Sequence, residues 1–144
     1  MEQQTLANHR RLVPMYHFVL ALLLLVAVGG SLYNLYRAWG RGSGRGEAIL
    51  VLIMVVIVFI EGFYLRIFAL KAQDRAIRAE ENLRHFAMHG SLLNPKLDVR
   101  QVIGLRFASD EEFAELAEKA AAEGLSENDI KKAVKNWRGD FYRV

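Results

Sequence analysis

The feature that most constrains this chain is an unbroken helical run over residues 48–90. It opens as AILVLIMVVIVFI and continues as EGFYLRIFALKAQDRAIRAEENLRHFAMHG, with no proline and with Gly62 as its one glycine before Gly90. One helix of this length, rising about 1.5 Å per residue, is roughly 65 Å long. That is about twice the ~30 Å hydrocarbon layer of a bilayer. The first half is soluble in lipid and the second half carries charge on most of its faces, so the helix is expected to leave the membrane partway along.

A second apolar run precedes it. Residues 12–36 are free of formal charge apart from the titratable His17. Backbone groups find no water in lipid, so each span must be helical. The spans are expected over about 14–35 and 48–70. The competing reading of the first run is a cleaved signal peptide, with Arg10 and Arg11 as its basic start and Ala27-Val28-Gly29 as its cleavage site. Against that reading, the run is long, continues past the small residues, and contains Pro14, Tyr16 and His17. Tyr16, Tyr33, Tyr36 and Trp39 suit interfacial anchors.

Residues 37–47, RAWGRGSGRGE, read as a flexible loop. A phosphate cradle would need a strand before its glycines, and here both flanks are apolar spans. The spans then form an antiparallel hairpin. Arg10, Arg11, Arg66, Lys71, Arg75, Arg78 and Arg84 lie on one side, against Arg37, Arg41 and Arg45 in the loop. That bias puts both termini in the cytoplasm.

Beyond the membrane the second helix carries a seam. Gly62, Leu65, Ala69, Ala72, Ala76, Ala79, Leu83 and Phe86 recur at alternating spacings of three and four. This is heptad spacing, and its small residues allow close helix approach. Either the helix lies on its own C-terminal domain as a solvated element, or the seam makes a helix–helix contact. Asp74 with Arg78, Glu80 with Arg84, and Glu81 with His85 are candidate i,i+4 pairs on the other faces.

Residues 91–144 read as a small three-helix domain. Asp98 with Gln101, Ser109 with Glu112, and Ser126 are start signals; Gly124 ends the second helix, and the third runs to about residue 138. The second helix buries Phe113, Leu116, Ala117 and Ala120. The third buries Ile130, Val134, Trp137 and Phe141. Lys131, Lys132, Lys135 and Arg138 form a basic face that either pairs with the acidic residues of 98–129 or meets anionic lipid headgroups; the small core favours internal pairing.

Candidate chemistry is sparse. Glu61 is a carboxylate inside a span, a costly placement that marks a contact or a path. Its neighbour Arg66 is five residues on, too far round the helix for a good intrahelical pair. His17 on the first span comes near the level of both. Glu81, His85 and His89 share a helix face but lack a catalytic metal arrangement. No nucleophile–base set stands out, so no catalytic residue, metal or cofactor is expected. With 13 Lys/Arg against 13 Asp/Glu after Leu70, nucleic-acid binding is not expected. Absence of cysteine removes disulfides and thiol catalysis.

Four blocks, NHRRLVPMYHF (8–18), FALKAQDRAIRAEENLR (68–84), IGLRFASDEEF (103–113) and IKKAVKNWRGDFYRV (130–144), resemble an uncharacterised bacterial family of small two-span inner-membrane proteins, a domain-of-unknown-function family. The resemblance implies the two-span plan and a bacterial cytoplasmic (inner) membrane. It brings no activity or site residue.

The sequence therefore predicts an all-α membrane protein. Its parts are a polar segment (1–11), a transmembrane hairpin (12–70), a cytoplasmic helix extension (71–90) and a helical C-terminal domain (91–144). The expected function is non-enzymatic: an accessory, adaptor or assembly protein that contacts the bilayer and another membrane protein or itself. The runner-up is an oligomeric transporter or channel with a polar path at Glu61, His17 and Arg66.

Overall fold

The computed structural model describes residues 3–9 and 11–141. Every regular element among them is helical. The chain divides into two compact units, residues 12–68 and residues 1–11 with 69–144.

In the first unit, Pro14 precedes a π-helical turn over Met15–Leu20, which passes into α1, Ala21–Arg41. Proline suits this position because the first turn of a helix has no use for its missing N–H. α1 ends on Gly42 and α2 begins at Arg45, so the connection is residues 42–44 and not the eleven-residue loop expected. Gly42 (φ 73°) and Gly44 (φ 74°) take the left-handed backbone that the reversal needs, whereas Gly40 and Gly46 stay helical. A glycine costs a helix only about 1 kcal/mol. Tyr16 Oη donates to the carbonyl of Gly62 at 2.7 Å, tying the start of the first helical segment to α2. Ala38 and Ala48 are fully covered beside the turn.

The helix α2 runs over Arg45–His89 as one element, as expected, and Gly90 (φ 72°) follows it. Its last part belongs to the second unit, together with α3 (Val99–Leu105), α4 (Asp110–Glu123) and α5 (Glu127–Ala133). The start signals read from the sequence are in place. Asp98 accepts from the Gln101 N–H while Gln101 accepts from the Asp98 N–H (2.7 and 2.9 Å). Ser126 accepts from the Asp129 N–H at 3.2 Å. Gly124 (φ 64°) closes α4.

The core of this unit gathers Leu97, Val102, Leu105, Phe113, Ala120 and Ile130. All four α4 residues expected inside are buried, as are Ile130 and Val134; Trp137 is half-buried and Phe141 is exposed. α3 and α5 meet at Gly104, where an added Cβ would lie 3.1 Å from both the Glu127 carbonyl and Ile130 Cγ2. Buried Gln101 turns its amide to the carbonyls of Ala120 and Leu125 (3.2 and 3.0 Å), stitching α3 to the end of α4.

One boundary in this unit differs from expectation. α5 stops at Ala133, because the chain beyond it is claimed by α4. Glu112 accepts from the N–H groups of Lys135 and Asn136, both at 3.0 Å. Ala108 and Trp137 then form an antiparallel bridge, with Arg138 N–H donating to the Phe107 carbonyl at 2.7 Å. The polar N-terminal segment also belongs to this unit. The side-chain amide of Gln4 exchanges two hydrogen bonds with the backbone of Asp140 (3.1 and 2.9 Å). Arg11 donates to the Phe141 carbonyl at 2.8 Å.

Candidate functional site

Within the second unit, α2 buries one face and exposes the opposite one. Ile77, Glu81 and His85, four apart, are covered. The seam residues Ala72, Ala76, Ala79, Leu83 and Phe86 lie outside that covered face, with Leu83 67% and Phe86 52% accessible. At 100° per residue the two sets lie roughly 170–200° apart. The helix thus lies on its own domain by a face distinct from the seam, and among the described residues this part of the seam is exposed. In the first unit Leu65 is 67% exposed and Gly62 is half-buried where Tyr16 meets its carbonyl. Ala69, at the boundary of the two units, is half-buried.

The buried face carries a charge network that sequence reasoning placed in solvent. Arg84 does not pair with Glu80. Its Nη1 donates to Glu81 at 3.0 Å, its Nε and Nη2 to Asp110 at 2.8 and 2.6 Å, and its Nη2 to the Ala108 carbonyl at 2.8 Å. The guanidinium also lies 4.2 Å from the centre of the Phe113 ring. Arg138 reaches Glu81 at 3.8 Å. Burial pushes the Glu81 carboxyl above its ordinary value, even against the hydrogen bond and charge of Arg84. The hydrogen bond from Arg84 holds the exposed Asp110 carboxyl below its ordinary value. His85 bonds the Ser91 carbonyl at 2.6 Å rather than Glu81. No sequence signal within one helix points to this cluster, since its acids come from α2 and from the start of α4.

The basic face also has partners. Lys131 Nζ is 2.6 Å from Glu127, Lys132 is 3.5 Å from Asp129, and Arg138 reaches Glu81. These pairs are with acids of α5 itself and of α2, and not between α4 and α5. Lys131 is buried and lies 5.6 Å from the centre of the Phe107 ring. A cleft beside it is lined by His9, Leu70, Asp98, Arg100 and Gln101; Asp98 and Gln101 are already bonded to each other.

The three polar candidates of the first unit are not assembled into one site. His17 Nδ1 is 3.0 Å from the backbone of Val13, a bond within its own turn. Arg66 is half-buried, 5.9 Å from the Tyr16 ring centre. Glu61 is exposed, and among the described residues no ion pair joins it to His17 or Arg66. It projects about 70° from the seam midline at its level.

The sequence of the chain matches one family model along its whole length, residues 1–144. The chain belongs to the family of unknown function DUF6526. No curated protein and no solved structure matches it. Membership of an uncharacterised family covers the entire chain and brings no activity, so the functional reading rests on the geometry of this DUF6526 member.

Proposed function

We propose that the protein is a small integral membrane accessory or assembly protein of the bacterial cytoplasmic membrane that works through helix–helix contacts. α1 and the first part of α2 form the antiparallel transmembrane hairpin, both termini are cytoplasmic, and the second unit lies in the cytoplasm. The observation that carries this reading is the outward apolarity of both long helices. Only 6% of the most apolar window of each is buried, whereas the core helix of a soluble protein would be mostly covered. Lipid accounts for that surface. The arginine bias of the flanks supplies the orientation. The exposed seam of α2 supplies the contact face.

The test is extraction of the full chain from membranes at alkaline pH, with reporters on each terminus. Retention in the pellet and cytoplasmic reporters at both ends are expected. Release into the supernatant would overturn the proposal. The competing reading, an ion or solute path lined by Glu61, His17 and Arg66, needs several copies, because one chain does not bring the three together. Ion flux from the purified protein in liposomes would favour that path over a contact role.

A further inference from the structure

We infer that the exposed face of α2 takes a second copy of the same chain, forming a parallel two-helix coiled coil that continues from the membrane into the cytoplasm. The inference rests on the membrane reading above and names the partner for its contact face.

The face is more than a line of small residues. Leu65 and Phe68 are 67% and 61% exposed, and Leu83 and Phe86 follow on the same face beyond Ala72 and Ala79. Large apolar side chains at both ends therefore flank a section where backbones can come close. In heptad terms Gly62, Ala69, Ala76 and Leu83 take one seam position and Leu65, Ala72, Ala79 and Phe86 the other.

The flanking charges select the partner. In this register Glu61, Phe68 and Arg75 precede seam residues, and Arg66, Gln73 and Glu80 follow them. A parallel coiled coil brings each preceding position against the following position five residues further along the other helix. Glu61 then faces Arg66 of the partner subunit, and Arg75 faces Glu80 of the partner subunit. Both pairs are opposite in sign, and two-fold symmetry makes each twice. Within one helix the same residues are about 140° apart and cannot meet. Consistent with that, no ion pair joins Glu61 to Arg66 or Arg75 to Glu80 among the described residues. The two copies must be parallel, because α2 crosses the bilayer in the same direction in each. The carboxylate Glu61 thereby gains a counter-ion that no described residue of its own chain gives it.

The test uses the full chain in native membranes. The protein has no cysteine, so Ala79→Cys places a lone thiol on the seam and Lys71→Cys a control thiol on another exposed face. Oxidation is expected to give a disulfide dimer from Ala79→Cys and none from Lys71→Cys. Adding Arg75→Glu or Glu80→Arg alone converts two attractive pairs into two repulsive ones and lowers dimer formation about tenfold. Co-expressing the two reversed chains restores their pairing as a mixed dimer. Equal cross-linking of both thiols, or reversals without effect, or no recovery in the mixture, would overturn the inference. A chain that stays in the membrane while its Ala79→Cys variant couples only to a different protein overturns self-association and leaves the membrane reading intact. A chain washed off the membrane overturns both.

Discussion

Replacing Arg84 with methionine tests whether the network under α2 holds the second unit together. Methionine keeps most of the apolar stem over Phe113 and removes the charge. The consequence is dominated by Glu81, whose side chain is 8% exposed and whose remaining cation, Arg138, stands 3.8 Å away. Leaving a buried charge without its partner costs about 3–5 kcal/mol. Loss of the Asp110 pair adds little, because that carboxylate is 67% exposed and solvent screens it. The Ala108 carbonyl loses one hydrogen bond, about 1 kcal/mol. Protonation of Glu81, already made easier by burial, returns part of the cost, so the net loss is about 3 kcal/mol. The assay is amide exchange of the full chain in detergent micelles, read over peptides covering α3 and α4. Exchange there is expected to accelerate by about 100-fold, since 1.4 kcal/mol is a factor of ten. Adding Glu81→Leu removes the stranded charge and is expected to restore most of the protection. Acceleration below about threefold, or no recovery in the double variant, would refute the reasoning.

Other predictions follow from the same unit. The raised Glu81 value makes the folded state the better proton binder, so this group's contribution is full below its ordinary 4.5 and is lost as pH rises through the raised value. Asp110 has the opposite sign: its contribution is present above its ordinary 3.8 and is lost as pH falls through the lowered value. Glu81→Gln is therefore expected to gain thermal stability relative to wild type as pH rises above the ordinary 4.5, followed by Trp137 fluorescence in a Trp39→Phe background; a gain at acid pH instead would contradict the assignment. Gly104→Ala forces a methyl between α3 and α5 and is expected to lower stability by about 1–3 kcal/mol in the same assay. Gln4→Leu breaks both bonds to the Asp140 backbone, with a cost of about 1 kcal/mol. Its signature is faster amide exchange in residues 3–9 with little change in α4.

The elements of this protein were legible where the signal is local. Asp98, Ser109, Gly124 and Ser126 stand at helix ends because capping involves residues only a few positions apart. The four buried residues of α4 follow from helical spacing alone. What failed was decided at long range. α5 was expected to continue because 134–138 has helical spacing, but Glu112, more than twenty residues earlier, takes the two N–H groups beyond it. Gln4 and Asp140 are 136 positions apart, and no local pattern marks their exchange. Arg84 read as a solvated partner of Glu80 because helix periodicity shows which residues share a face but not which face is covered. The loop was overestimated for a related reason: glycine content marks where a chain can turn, and only Gly42 and Gly44 are used for it. Of the candidate sites, the exposed seam was legible as a pattern. The Arg84 network was not, since it joins two elements.

The central claim is that α2 is one helix with two solvents and two working faces. It is tested most directly by introducing single cysteines at successive positions from 45 to 90 of the otherwise cysteine-free chain and labelling intact and opened cells with a membrane-impermeant maleimide. The account predicts no labelling over about 48–66 in either preparation. Beyond residue 70 it predicts labelling in opened cells only, with minima on two opposite faces, at 77, 81 and 85 where the helix meets its own unit and at 72, 76, 79, 83 and 86 where two copies meet. Labelling within 50–60, or uniform labelling beyond 70, would contradict it.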